Sequence, residues 1–545
     1  MFARVKTSGK YQYLQIVQNR REGKKTIQRV VATIGRMDQI QHKGEIETLV
    51  RSLSRFSEKV LLVLSGKSDV DATARKIGPA LIFQRLWKES GIGKILCRLL
   101  AERKFEFDVE RAVFLTTLHR LFVSGSDRFC QRWHRDYRIE GVESLSLHHL
   151  YRAMAFLGEE LCDQRDATIF APRCMKDLIE EDLFLARRDI FSALDCVFFD
   201  TTSIYFEGEG GESIGQLGHS KDHRPDLNQM VVGVILDDRG QPVCCEMWPG
   251  NTADVKTLSA VIKRLRARFH IGKVCIVSDR GMISAETVNF LEKEEIPYIL
   301  GARMRKNKEI KDEVLSRAGR YCEVHPEGSS AKDPSPLKVK EVMVEGRRYI
   351  VCLNEKQARK ESADRQAIID SLTQKLRSNP RSLVGNKGYR KYLKLDRDSV
   401  SLDQEKIEKE ARFDGKWVLR TNTSLSAQRV ALRYKELWQV EQVFRDMKSI
   451  LQTRPIYHQT DEAIRGHVFC SFLALVLRKE LDKRLEAAGH CFEWLDIKQD
   501  LKAMQELTIE DNGKTLIIRS ECPGACGKIF QAVGVAIPPT IREIS

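Results

Sequence analysis

No stretch of this sequence is apolar for long enough to cross a bilayer, and its opening residues, MFARVKTSGK, contain no apolar signal core. A membrane partner is therefore not expected, and the expected location is the cytoplasm. The chain also lacks any low-complexity tract; with 42% hydrophobic and 31% charged residues it has the composition of a soluble globular protein. A phosphate loop is missing its glycine: residues 65–68 read SGKS, but the position five before Gly66 is Leu61, so no nucleotide site follows. Cysteines are present, fourteen of them, yet nothing organises them into a framework. Without a signal peptide they read as reduced and mostly buried thiols. Cys522 and Cys526 enclose Pro523 and Gly524, and no second Cys or His pair follows at zinc spacing. His219 and His223 are four apart, but Gly218 and Pro225 make that segment a loop, so the spacing does not describe a helical metal site.

What the chain does have is length and positive charge. At 545 residues it exceeds a single core, and two to four domains are expected. Its 91 basic and 76 acidic residues leave a net charge of +15. A surplus of this size favours a polyanionic partner, because each cation that neutralises a phosphate releases condensed counterions.

Residues 1–60 read as a basic β-hairpin region: Tyr11, Tyr13, Gln15 and Val17 alternate, RREGKK turns, and Ile27, Val30, Val31 and Thr33 resume the pattern. Residues 61–190 are mainly helical in pattern. Their basic and aromatic stretch DRFCQRWHRDYR, with Arg128, Arg132, Arg135 and Arg138, makes this the expected DNA-binding domain. At residue 191 the pattern changes. LDCVFFDTTSIYFEG is a β-branched and aromatic strand with Asp200 in its middle, a costly place for a carboxylate unless it is paired or metal-bound. Two strands follow about DDRGQP, then a helix, the buried strand KVCIVSDRG ending at Asp279, another helix and the strand IPYILGA. Glu207 and Glu209 read as solvated turn acids. Three antiparallel strands followed by helix, strand, helix, strand is the order of an α/β ribonuclease H-like core, whose first part is placed at residues 191–301. That architecture sets carboxylates on its first and fourth strands side by side, where they repel unless divalent cations lie between them. A β-rich insertion domain is expected over residues 302–426. The catalytic core resumes over 427–488, and a C-terminal segment, 489–545, is a candidate for oligomerisation.

Within the resumed core, residues 434–448, YKELWQVEQVFRDMK, read as one amphipathic helix. Leu437, Val440, Phe444, Met447 and Leu451 form its apolar stripe. Tyr434, Trp438, Glu441, Arg445 and Lys448 form a second stripe, in which one carboxylate sits among aromatics and cations. An isolated helix of this kind would be read as a surface ion-pair ladder. In company with Asp200 and Asp279, Glu441 becomes the third acid of a metal site.

These residues carry a resemblance. The chain is similar to bacterial insertion-sequence transposases of the DDE class, in the IS-four superfamily and its IS-sixteen-thirty-four group. Asp200, Thr201 and Thr202 match the family's first acid motif, and Asp279, Arg280 and Gly281 its second. Tyr434, Glu441 and Lys448 match the signature of tyrosine, two residues, arginine, three residues, glutamate, six residues, lysine. The arginine of that signature is Leu437 here, so Trp438 and Arg445 are expected to share its work. The segments GHSKDHRPDLNQ and PGNTADVKTL also resemble this group. The resemblance implies cut-and-paste DNA transposition by an endonuclease and strand-transfer enzyme. Asp200, Asp279 and Glu441 would hold two Mg²⁺ or Mn²⁺ ions. Tyr434, Trp438, Arg445, Lys448, Arg280, Thr201 and Thr202 would contact DNA. The implied partners are double-stranded DNA, as transposon terminal inverted repeats and as target, and a second copy in a synaptic homodimer. Two alternatives share the sequence: an end-binding DNA protein without chemistry, and a nuclease of the same fold without strand transfer.

Overall fold

A computed structural model of the chain describes residues 2–22, 25–42, 71–168, 171–187, 196–269, 274–325, 337–378, 391–395, 400–450, 453–511 and 514–544. The side chains of the basic turn at 20–25, the SGKS segment and Leu451 lie outside the described residues. The chain divides into two compact units. One comprises Met1–Leu86, Gln131–Glu143 and Glu480–Ser545, and the other Trp87–Cys130 and Ser144–Lys479.

In the first unit, β2 (Tyr11–Glu22) and β3 (Lys25–Arg36) form the hairpin that the alternation describes. A further strand, β1 (Phe2–Ser8), pairs antiparallel with β2 through a turn in which Gly9 has φ 62°. The segment FARVKTS is too polar to signal a strand by itself. β4 (Asp71–Lys76) interrupts the region read as helical. Its partner lies at the far end of the chain.

The second unit holds the large sheet. β5 (Cys196–Tyr205), β6 (Gln229–Asp237) and β7 (Pro242–Pro249) run antiparallel in succession. The helix Asp254–Phe269 then leads to β8 (Cys275–Ser278), which lies parallel to β5. The helix Ala285–Lys293 leads to β9 (Tyr298–Gly301), parallel to β8. Parallel neighbours require such crossovers, and an apolar layer fixes the two helices to the sheet. In that layer Val197, Phe199 and Trp248 of the strands meet Leu258, Leu265 and Leu291 of the helices. Phe199 and Trp248 meet edge to face at 6.5 Å.

The segment read as an inserted domain continues this sheet. β10 (Cys322–Glu323), β11 (Leu337–Val344) and β12 (Arg347–Asn354) precede the long helix Glu355–Ser378. A small hairpin, β13 (Leu393–Leu395) with β14 (Val400–Leu402), and then β15 (Lys416–Thr421) follow. The nine-stranded order is β10-β11-β12-β15-β9-β8-β5-β6-β7, a mixed α/β sheet. Tyr349 and Val418 belong to one core beneath it, whereas Leu372, Tyr392, Leu393 and Ile407 form a separate small cluster around the hairpin and long helix. In the first unit, β16 (Gln505–Asp511), β17 (Lys514–Arg519) and β18 (Ile541–Ile544) complete a four-stranded sheet with β4, in the order β18-β17-β16-β4. Glu506 of β16 is buried there between Arg138 and Arg542, 2.7 Å from each.

Behind β7 lies a buried network of charges. From the helix Met175–Arg187 come Asp177 and Glu180, from β7 comes Glu246, and from the helix Asp254–Phe269 come Arg264 and Arg268. Arg264 lies 3.0 Å from both Asp177 and Glu246, and Arg268 lies 2.6 Å from Glu180 and 3.2 Å from Glu246. Burial alone would raise the Asp177 carboxyl, but Arg268, Lys176 and Arg264 hold it well below the usual range. Asp177 therefore stays ionised, whereas burial raises the Glu180 carboxyl. Replacement of Glu246 by alanine is expected to leave two guanidiniums under-compensated and to lower the unfolding free energy by about 3–5 kcal/mol. Equilibrium urea unfolding measures this, and an unchanged midpoint would contradict the network's role.

Candidate active site

The β5 and β8 registers bring two acids together. Phe199 pairs with Ser278 across the parallel ladder, so the next step of the register sets Asp200 beside Asp279. Neighbouring strands lie about 4.8 Å apart, a spacing at which carboxylates interact directly. Because side chains alternate, Val197 and Phe199 enter the helix-covered core while Phe198, Asp200 and Thr202 point to the other face. Both acids are half-buried.

Glu441 lies on the helix Trp438–Arg445, which packs against β5 and β6. The expected apolar stripe is buried at Leu437, Val440, Phe444 and Met447. The helix is not continuous, however. Ala427–Lys435 ends ahead of a turn at 436–437, and a wider π-type turn, Asp446–Ile450, follows Arg445. Short bonds from Leu437 N to Tyr434 O, Gln439 N to Glu436 O and Val440 N to Leu437 O tighten the chain at the first break. The apolar periodicity runs through these breaks, which is why the sequence pattern does not report them. Tyr434 thus belongs to the helix before the one that carries Glu441, and residues 453–460 are not helical ahead of Asp461–Ala487.

Tyr434 is tied to the second acid. Its hydroxyl donates to Asp279 Oδ1 at 2.9 Å, and burial together with the Asp279 charge pushes its ionisation far above the usual range. The hydroxyl lies over Gly301, where an added Cβ would come within 2.4 Å of it and 3.0 Å of the Arg280 amide. In this structure Tyr434 therefore bonds Asp279, where a phosphate oxygen was the expectation. The loop after Asp279 is fixed from the far side: Arg303 donates to the carbonyls of Arg280 and Gly281, each at 2.9 Å.

The other expected DNA contacts divide. Trp438 is 61% exposed, and Arg280, Glu441 and Arg445 are also exposed. Thr201 and Thr202 are buried in the strand. The Thr201 hydroxyl and carbonyl both accept from Lys221 Nζ, at 3.0 and 2.7 Å, and its amide donates to Asp200 Oδ1 at 2.7 Å. Lys448 Nζ lies 2.8 Å from Asp222 Oδ1, and burial lowers its pKa despite that carboxylate. Asp222 and Arg303 were not singled out from the sequence. The motif around Asp222 was visible, but nothing local marks which of its residues reaches Lys448, 226 positions away.

Among the described residues, Asp200, Asp279 and Glu441 do not have ligand atoms all within 4.8 Å of one another; Asp127, His458 and His467 do. This second group does not suit a metal. His467 Nδ1 accepts from Arg120 at 2.9 Å and its Nε2 faces the Thr453 carbonyl at 3.1 Å, so both ring nitrogens are engaged. Burial and the Arg120 charge keep His467 neutral. Asp127 pairs with His458 at 3.1 Å. The first acid pair, by contrast, consists of hard oxygen donors, the chemistry that divalent magnesium or manganese takes.

Two family models match the chain: a transposase DDE domain over residues 192–477 and an IS1634 family transposase N-terminal domain over residues 3–67. Among curated proteins none matches the sequence. One match among solved structures is the cryo-EM structure of a piggyBac transposase synaptic complex with hairpin DNA. It has 11% identity and a TM-score of 0.37, over 78% of this chain and 79% of that one. No helix among the described residues is long and apolar enough to cross a membrane.

Two outcomes follow from the site's packing. Gly301→Ala is expected to displace the Tyr434 hydroxyl and cost about 1–3 kcal/mol, whereas Tyr434→Phe loses one hydrogen bond and costs about 1 kcal/mol. Thermal unfolding of both variants checks the order, and equal effects would refute the close contact. Burial raises the Asp127 carboxyl, but His458 and Arg120 outweigh it and bring it down to about 2. A depressed carboxyl stabilises the fold above its unfolded pKa near 4 and loses that contribution as pH falls toward 2. The wild-type protein should therefore lose stability between about pH 4 and pH 2 more steeply than Asp127→Asn, measured by urea midpoints across that range.

Proposed function

The chain belongs to the DDE transposases, of the IS1634 type, and on that premise we propose that it cuts and joins DNA at transposon ends with Asp200, Asp279 and Glu441 as its catalytic acids. The observation that carries this reading is the parallel register of β5 and β8, which sets Asp200 next to Asp279, with the Glu441 helix packed on β5. In this reading β5 to β9 and the Glu441 helix form a ribonuclease H-like core. The substrate is the terminal inverted repeat of double-stranded DNA, two ends are joined in a homodimer, and the protein works in the cytoplasm.

Asp200, Asp279 and Glu441 would hold two Mg²⁺ or Mn²⁺ ions. When bound, such ions supply an activated attacking oxygen and stabilise the leaving oxygen of an in-line phosphoryl displacement. Tyr434 fixes one oxygen of Asp279 and leaves the other for ligation. Arg303 keeps the Asp279–Arg280–Gly281 turn from swinging away from β5. Glu441 sits at the surface, so closing its carboxylate onto the two aspartates belongs to the DNA-bound state. Trp438 is exposed beside it as a stacking platform for a base at the transposon end, and Arg445 and Arg280 face the strand's phosphates.

The test is cleavage of a linear duplex bearing the repeats that flank the reading frame, in Mg²⁺ and in EDTA. Asp200→Ala, Asp279→Ala and Glu441→Ala are each expected to lose cutting and strand joining by about 10³-fold or more while binding the duplex within about threefold of wild type. EDTA should abolish cutting, and Mg²⁺ in excess should restore it. Undiminished cleavage in any of the three variants would overturn the assignment. Binding by the wild type without any nicking would leave an end-binding protein, and nicking without joining a nuclease.

A further inference from the structure

On the loop that follows β5, one carboxylate closes a cluster of cations. Asp222 is 9% exposed and lies 2.8 Å from Lys448 Nζ and 2.5 Å from Arg454 Nη1. The guanidiniums of Arg454 and Arg224 stand 5.6 and 5.7 Å from the Tyr205 ring, the last residue of β5. The loop that presents Asp222 is bonded to β5 just upstream: Lys221 N donates to Ser203 Oγ at 2.8 Å, and Lys221 Nζ holds Thr201. At its turn His223 takes a left-handed φ of 58°, a conformation that non-glycine residues seldom adopt. The carboxylate is thus held by a braced loop on the two cations.

Lys448 is already expected to contact DNA by resemblance; we infer that Asp222 holds it and Arg454 as an internal anion, in the place of a DNA phosphodiester, until a strand displaces it. The inference rests on the transposase reading above. A carboxylate and a phosphodiester oxygen offer the same charge and the same acceptor geometry to Lys and Arg. Two cations closed by one acid present a net charge of one to DNA. A strand must therefore displace an existing ion pair before it gains both contacts. Unrelated DNA, which lacks the other contacts of a cognate end, gains less from that exchange. Asp222 is accordingly a positioning and specificity residue rather than a catalytic one.

The experiment uses the full-length chain and two probes, a duplex of the flanking repeat and an unrelated duplex of equal length. Affinities are measured by fluorescence anisotropy across a salt series. Asp222→Asn adds one net positive charge where the strand lies, so the slope of log affinity against log salt should steepen by about one. The preference for the repeat over unrelated DNA should fall about fivefold or more, while Asp222→Glu keeps the wild-type slope. A slope unchanged in Asp222→Asn, with circular dichroism showing a folded protein, would overturn the inference. If Asp222→Asn does not fold, Arg454→Gln withdraws a cation instead and should make the slope shallower by about one, and an unmoved slope there refutes the inference equally. Failure of the transposase reading itself looks different: the wild type would bind both probes alike and cut neither.

Discussion

Everything in the candidate site depends on two strands lying parallel and in one register. A slip of one residue between β5 and β8 would turn either Asp200 or its neighbour to the opposite face and part the two carboxylates. The first four residues of β5 and the first three of β8 are apolar, and both strands are buried apart from Asp200 and Tyr205. The helices Asp254–Phe269 and Ala285–Lys293 clamp one face, and the charges of Asp177, Glu180, Glu246, Arg264 and Arg268 lock the first of those helices to β7 and to the helix Met175–Arg187. An ionic lock of this sort adds little net stability over an apolar one, but it admits few alternative arrangements. The register of the acids is thus held by a core that tolerates little sliding.

Around the acids, polar side chains are engaged by one another. Tyr434 spends its hydroxyl on Asp279, and Lys448 and Arg454 meet Asp222. Half-buried cations without such partners would carry a desolvation cost and would attract any passing polyanion. Internal partners satisfy them, and under the proposed function a DNA strand would have to exchange with those partners around Asp279 and Asp222.

Much of the large sheet was legible because its signals are local. The β-branched and aromatic residues of 196–205, the turn DDRGQP and the apolar strand before Asp279 each report structure from adjacent residues, and so do the buried positions Val440, Phe444 and Met447. The rest depended on distant partners. DATARK has no strand character until β16 is beside it, and β11, β12 and β15 look like an independent insertion until β9 is seen to pair with β15. The break at 436–437 leaves the apolar period intact. Nothing in the sequence marks Lys176, Asp177 and Arg264 as buried, because it carries no record of how charges on separate helices compensate one another inside the fold.

The pairing of β4 with β16 has a consequence in time. Residues 71–76 are synthesised early, whereas the strand that completes their sheet, Gln505–Asp511, comes more than four hundred residues later. At ordinary ribosomal speeds the interval is on the order of tens of seconds. Throughout that wait the strand β4 lacks its β16 partner, so the nascent chain carries an open hydrogen-bonding edge that only translation past residue 510 can cover.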